Sequence, residues 1–195
     1  MSKIKTVFVA GATASGKTEL AIKLAKRFDG EIVSADSMQI YKGIHIASAA
    51  PDTEEMQGIP HYMLEFLKPD DSFSVAEYVE KARAYVKDIA RRGKLPIVAG
   101  GTGLYINSLA DNISYIEEKT DSKLRRELEE RFENIGAEQM LNELKEIDPE
   151  TAARLHSNDK KRIIRAFEVY RLTGKTVTEQ NKLSKQGDAL IDPCI

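Results

Sequence analysis

Two short stretches of the chain are apolar without alternation: Thr6-Val7-Phe8-Val9-Ala10 and Pro96-Ile97-Val98-Ala99. Strands apolar on both faces suit a parallel sheet covered by helices on both sides. Glu31-Ile32-Val33-Ser34 reads as a further strand. Between the first two, Lys17 to Phe28 spaces Leu20, Ala21, Leu24 and Phe28 at helical intervals. Lys23, Lys26 and Arg27 fall outside that stripe, and Asp29-Gly30 ends it. The order strand, helix, strand predicts a βαβ opening.

From Gly43 to Asp71 the pattern is irregular, broken by Pro51, Gly58, Pro60 and Pro69. Long loop regions of this kind often line a site. Ser74 to Ala90 predicts a helix with apolar stripe Val75, Tyr78, Val79, Ala82, Tyr85, Val86 and Ile89. Ser74 with Glu77 three residues on has capping-box spacing. The strand at Pro96 ends in Gly100-Gly101-Thr102-Gly103, after which Leu104 to Leu109 opens another helix.

After about Asp111 strand signals nearly vanish and charged helical segments follow. They run from Ser122 to about Asn134, from Ala137 to Ile147, and from Asp159 to Thr173 with Gly174 as the αL cap. Asp148-Pro149 opens a short helix between them. The expected fold is α/β, a P-loop NTPase-like parallel sheet core with a helical lobe. The expected division is 1–110 for the core, 111–190 for the lobe, and 191–195 for the start of a core element that is cut off. Ala189-Leu190-Ile191 is strand-like and the sequence stops at Ile195, so the chain is expected to be a fragment of a longer protein.

Composition adds limits. Apolar residues make up 42% and charged residues 31%, as in ordinary globular proteins. The 29 basic and 31 acidic residues leave a net charge of -2, so any nucleic-acid surface must be local. The single cysteine, Cys194, forms no internal disulfide. With no signal-peptide pattern and no membrane-spanning apolar run, the expected location is the cytoplasm.

Gly11-Ala12-Thr13-Ala14-Ser15-Gly16-Lys17-Thr18 fits G-x-x-x-x-G-K-[ST], between a strand and a helix. Its glycines allow successive backbone N–H groups to turn inward. The helix N-terminus adds a positive dipole end. Lys17 supplies a point charge for phosphate oxygens, and Thr18 a hydroxyl for Mg²⁺. The pattern predicts a bound diphosphate or triphosphate without naming the compound. A glycine-rich turn that binds nothing is the alternative, and the strand–loop–helix context argues against it.

Asp36-Ser37-Met38-Gln39 follows the second strand directly. Strand carboxyl ends line the ligand crevice of an open parallel sheet, so Asp36 should face the cradle. It can support a metal, act as a general base, or simply cap a turn. Gln39 suits an adenine edge or is merely solvated. Met38 reads as core on residue grounds. Thr102 can hydrogen-bond a leaving oxygen or an acceptor amine, or cap a helix. His45, His61 and His156 lack metal-ligand spacing. Lys160, Lys161, Arg162, Arg165, Arg171 and Lys175 face Glu168 alone around the last helix. That sign bias suits phosphate-backbone contact as well as a solvated face.

Taken together these motifs resemble the tRNA dimethylallyltransferases, also called tRNA isopentenylpyrophosphate transferases. The likeness runs through Gly11 to Thr18, Ser34 to Tyr41, Gly58-Ile59-Pro60-His61, Gly100 to Tyr105, Asp148-Pro149, Asn158-Asp159 and Arg162 to Val169. It implies transfer of a dimethylallyl group from dimethylallyl diphosphate to N6 of the adenine next to the tRNA anticodon. It implies that Gly11, Ala12, Thr13, Ala14, Ser15, Gly16, Lys17 and Thr18 hold the diphosphate with Mg²⁺ at Thr18. Asp36 matches the family's general base, and Thr102 a residue near the transferred group, with Lys17 completing the catalytic set. Asp36, Ser37, Met38, Gln39, Thr102, Arg125, Lys161, Arg162, Ile163, Ile164 and Arg165 correspond to tRNA-contacting positions. The expected partners are tRNA and the allylic donor, with no membrane, and the expected state is a monomer.

The sequence departs from the family at three places. Alanine stands at Ala12 where proline is usual and at Ala50 where lysine is usual, which removes a phosphate contact. Lys161 stands where glutamine is usual, which exchanges a base contact for a charge contact. Family members also run well beyond Ile195. The rival readings are a shikimate- or adenylate-kinase-like enzyme, which lacks support from an arginine-rich lid, an adenylate isopentenyltransferase acting on free nucleotide, and a non-catalytic RNA-binding module.

Overall fold

The computed structural model describes residues 3–43, 49–113, 121–184 and 189–194. His45 lies outside them. The described chain forms two compact units, one of Met1–Ser114 with Gly187–Ile195 and one of Tyr115–Gln186.

In the first unit, strands β1 (Ile4–Ala10), β2 (Gly30–Ser34), β3 (His61–Tyr62), β4 (Leu95–Gly100) and β5 (Ile191–Cys194) form one sheet in the order β3-β2-β4-β1-β5. Every pairing is parallel. The doubly apolar runs explain this arrangement. Phe8, Val33 and Val98 point to one face, where they pack on helices α2 (Val75–Arg91) and α3 (Gly103–Ala110). Val9, Ile32 and Ile97 point to the other, onto Ala21, Ile22 and Ala25 of α1 (Lys17–Phe28). Burial on both faces requires crossover connections, and hence parallel strands.

Local signals set the helix ends. Glu77 N donates to Ser74 Oγ at 3.2 Å while Ser74 N donates to Glu77 Oε2 at 2.7 Å, closing the capping box on α2. Register places Ala10 beside Gly100 and Ser34 beside Ala99. The ends of β1, β2 and β4 therefore meet at one edge, with β4 in the middle. Gly100 allows this meeting: a Cβ there would fall 2.2 Å from the Ala35 carbonyl oxygen.

At the opposite end of β2, the buried Glu31 takes both oxygens to Arg92, at 2.6 Å each, and accepts from Tyr62 at 2.7 Å. The Arg92 guanidinium, joined by Tyr62 and Lys94 and opposed by burial, holds the Glu31 carboxyl down at about 2.

The second unit is helical: α4 (Ser122–Ile135), α5 (Ala137–Ile147), α6 (Pro149–Ala152), α7 (Lys160–Thr173) and α8 (Val177–Ser184). Leu128, Phe132, Met140, Leu144, Ile163, Ile164 and Phe167 form its core. Asp148 joins two helix starts. It accepts Thr151 N at 3.1 Å, Thr178 N at 3.0 Å and Thr178 Oγ1 at 2.6 Å. Burial opposes ionisation of Asp148, yet these bonds from Thr178 and Thr151 outweigh it and hold its pKa below the ordinary value.

Candidate active site

The loop after β1 turns because its residues accept left-handed backbone. Ala14 has φ 62° and Gly16, the N-cap of α1, has φ 80°. Gly16 offers no side-chain cap, so the first-turn amides of α1 have no capping side chain on that residue. Lys17 folds back over the loop, with Nζ donating to Ala12 O at 2.9 Å. Above the loop lies a cleft of about 410 Å³, lined by Thr13 to Thr18 on one side and by Asp36, Gln39, Ala49, Pro51, Glu55 and Gln57 on the other. Ile22 gives it an apolar patch. The left-handed turn, the N-terminus of α1 and a lysine form a surface complementary to a diphosphate.

Asp36 follows β2 at the sheet edge and combines two of the roles its position allows. Oδ1 accepts Met38 N at 2.9 Å, which makes it a turn aspartate and fixes its carboxylate plane. Oδ2 faces the cradle. The position that a Cβ on Gly101 would occupy lies 3.6 Å from Asp36 Oδ2, 3.4 Å from Gly11 O and 3.9 Å from Lys17 Cε. Carboxylate, cradle and lysine thus border one small volume.

Thr102 precedes α3 as its N-cap, but its side chain makes no cap bond. Its hydroxyl instead accepts Ser37 N at 2.9 Å and donates to Ser37 Oγ at 3.2 Å. Together with Thr102 N donating to Ala35 O at 3.0 Å, this ties the segment carrying Asp36 to the end of β4. On α3, the buried Tyr105 stacks on Tyr78 of α2 with centroids 4.0 Å apart and planes 6° apart. Burial first, and then the neighbouring Tyr41, Glu77 and Asp36, raise the Tyr105 pKa.

Two expectations for this stretch are corrected. Gln39 is neither solvated nor presenting a loose amide edge. It is buried, with Ser34 Oγ donating to Oε1 at 2.8 Å and Nε2 donating to Ala49 O at 3.1 Å. It braces the far wall of the cleft. Met38 is half exposed rather than core. The far wall itself came from the irregular segment: Lys26 Nζ donates to Gln57 Oε1 at 2.6 Å, and Asp52 with Glu55 closes a reciprocal turn at 2.8 and 3.1 Å. Glu55 and Gln57 were not singled out from sequence, and Pro51 only as a breaker. Their signal was the long loop that interrupts the αβ pattern.

Among the described residues no group of three or more His, Cys, Asp or Glu side chains is arranged to hold a metal ion. An all-protein cation cage is thus absent there. Thr18, lining the cleft beside Lys17, carries a hydroxyl, a hard oxygen donor of the kind that suits a divalent cation whose other ligands come from outside the protein. His61 is half-buried with Nδ1 against Ile59 O at 2.8 Å, and burial lowers its pKa.

The other expected RNA-facing residues belong to the helical unit. Lys161 and Arg162 are exposed on α7, with Arg162 3.7 Å from Asp159. Arg125 on α4 bonds Glu129 at 3.1 Å and Glu168 at 3.4 Å. Ile163 and Ile164 are corrected: at 0% and 1% exposure they are core residues, turned inward by the same helical period that turns Lys161 and Arg162 out. Their side chains offer nothing to an RNA.

A parallel sheet whose first strand feeds a Gly-x-x-x-x-Gly-Lys-Thr turn into a helix, with an acid at the adjacent strand end, defines a P-loop α/β protein. Residues 39–193 match the IPP transferase family, and the chain belongs to that family. It is 49% identical over 181 residues to the tRNA dimethylallyltransferase of Caldanaerobacter subterraneus subsp. tengcongensis, covering 93% of this chain and 58% of that protein. It is 51% identical over 178 residues to the tRNA dimethylallyltransferase of Acetivibrio thermocellus, covering 91% and 57%. Among solved structures, the full-length tRNA isopentenylpyrophosphate transferase of Bacillus halodurans is 39% identical with a TM-score of 0.58, covering 89% of this chain and 57% of that one. A eukaryotic dimethylallyltransferase acting on tRNA is 31% identical with a TM-score of 0.75, covering 98% and 47%. The chain therefore spans less than two thirds of the length of these relatives. No described helix is long and apolar enough to cross a membrane.

Proposed function

We propose that the protein carrying this chain transfers a dimethylallyl group from dimethylallyl diphosphate to N6 of the adenine adjacent to the anticodon in tRNA. The observation that carries this reading is the shared volume between Asp36 Oδ2, Lys17 and Gly11. A carboxylate and the phosphate loop with its lysine border the same small space there, which is where a base and a leaving diphosphate would have to meet. The names of the relatives agree with it.

In this mechanism the loop amides and Lys17 hold the donor diphosphate and stabilise the charge that grows as it leaves. Lys17 exchanges its bond to Ala12 for one to the diphosphate. Thr18 would offer its hydroxyl to a Mg²⁺, which would supply further charge neutralisation when bound. Asp36, oriented by Met38 N, removes the proton from the N6 amine, a weak nucleophile whose lone pair is delocalised into the ring. Thr102, through Ser37, keeps that carboxylate over the cleft. The adenine leaves its stack to reach the site. The helical unit grips the RNA backbone through its basic face. The enzyme works as a cytoplasmic monomer.

The test uses the full-length protein, labelled dimethylallyl diphosphate and tRNA. Label moves to tRNA in the wild type. Asp36→Asn keeps donor affinity and slows transfer by roughly 10²–10⁴-fold. Phosphoryl transfer from ATP without prenylation, or label on free adenylate in place of tRNA, rejects the reading.

A further inference from the structure

Helix α7 carries six basic side chains on or just beyond it and a single acid, Glu168. A lone carboxylate on an RNA-facing helix should weaken phosphate binding, yet this one does not reach the surface. Its side chain is 2% exposed. The helical period places Glu168 on the same stripe as Lys161 and Arg165, which are exposed. It is covered because two arginines lie over it. Arg165 Nη1 is 3.3 Å and Arg125 Nη1 3.4 Å from the same oxygen, Oε2. Both arginine side chains remain partly open to solvent, 45% and 42% exposed.

This geometry has a consequence that a surface ion pair lacks. Two arginines from different helices are drawn to one buried point, against their mutual repulsion, by the charge between them. A planar guanidinium fixed in this way presents its outer edge in a set direction. A phosphodiester approaching such a pair meets donors already ordered, and side-chain ordering is a large part of what binding opposes. Arg125 is further braced by Glu129 at 3.1 Å.

We infer that Glu168 is a positioning residue that holds Arg125 and Arg165 as a preformed two-guanidinium clamp for the tRNA backbone. The inference rests on the tRNA reading of the protein. The opposing view is that Glu168 only neutralises charge or only ties α4 to α7. These views differ in sign. Under neutralisation, Glu168→Gln leaves the arginines more cationic and tightens RNA binding. Under the clamp, the same isosteric change releases both side chains and weakens it.

The experiment measures tRNA binding and transfer by the full-length protein and its Glu168→Gln and Glu168→Asp variants, with thermal melting alongside. The clamp predicts a roughly tenfold rise in KM for tRNA in Glu168→Gln, with kcat and donor affinity unchanged. Arg125→Gln combined with Glu168→Gln then adds less than the product of the single effects. Glu168→Asp, which keeps the charge on a shorter stem, recovers part of the loss. Tighter tRNA binding in Glu168→Gln, unchanged KM at wild-type melting temperature, or equal losses in donor and tRNA affinity each overturn the clamp. Failure of the wild-type protein to bind or modify any tRNA overturns the functional reading instead.

Discussion

Gly100 and Gly101 are neighbours, and substitution by alanine should separate fold from chemistry. At Gly100 the new methyl would lie 2.2 Å from Ala35 O, 2.3 Å from Ala35 C and 2.7 Å from Ala35 Cα. Ordinary carbon contacts begin near 3.4 Å, so the backbone must part by about 1 Å. All three atoms are main chain, held by Ala35 N to Ala99 O at 2.8 Å and Thr102 N to Ala35 O at 3.0 Å. No side chain can rotate to relieve the clash. We expect Gly100→Ala to destabilise the protein by about 3 kcal/mol or more. Asp36 follows Ala35 directly, so activity falls with stability.

At Gly101 the nearest atoms would be 3.4, 3.6 and 3.9 Å away, ordinary contacts. Gly101→Ala should therefore change stability by less than about 1 kcal/mol. Its methyl, however, stands in the volume bordered by Gly11, Asp36 and Lys17, and a displacement of order 1 Å there lowers transfer roughly 10²-fold. Denaturant unfolding and single-turnover transfer measure the two effects. A Gly100→Ala protein as stable as wild type, or a Gly101→Ala protein with wild-type turnover, would refute the reasoning.

Further expectations concern single side chains. Lys17→Ala should weaken donor binding at least about tenfold while leaving the melting temperature in place, since among the described residues Lys17 bonds only Ala12; titration with dimethylallyl diphosphate checks it. Glu31 is held at about 2 against an ordinary value of 4.5. Its contribution is complete above the unfolded value, and falls away as pH drops through the folded one. That gap sets a ceiling of about 3 kcal/mol, lowered by the solvent around Arg92. Glu31→Gln should lower stability at neutral pH and flatten the acid side of the stability profile between those two values, as urea unfolding across pH would reveal. Asp148→Ala removes three accepted bonds at two helix starts and should destabilise the helical unit by about 2–4 kcal/mol, with amide exchange rising first at Thr151 and Thr178.

The parts legible in the sequence were those with a local physical cause. The doubly apolar runs gave β1 and β4, Glu31 to Ser34 read as β2, the capping box gave the start of α2, and Gly174 at φ 69° closed α7. The phosphate loop was readable because its glycines, lysine and threonine act within eight consecutive residues. What was not readable depended on distant partners. Strand β3 has two residues and exists only through its pairing with β2. Helix α8 carries a weak apolar stripe, and its start depends on Asp148, the N-cap of α6. Gln39 gave no sign in sequence that Ser34 and Ala49 would claim its amide. Ile163 and Ile164 were swept into a tRNA-contacting stretch by their neighbours, although an apolar pair inside a helical stripe belongs to the core. Glu168 looked like one acid in a basic run until Arg125, from another helix, was seen to cover it.

Asn112 closes the first unit in a way that bears on how the chain folds. Its amide donates to Ile191 O at 3.0 Å and its carbonyl accepts Ile191 N at 2.8 Å, across a sequence separation of 79 residues. A contact that remote must overcome the entropy of closing a long loop. Helices α4 to α8 that form first within that interval would lower this cost, so β5 should pair with β1 late. A pair of bonds from one asparagine thus makes the order of assembly a property of the fold.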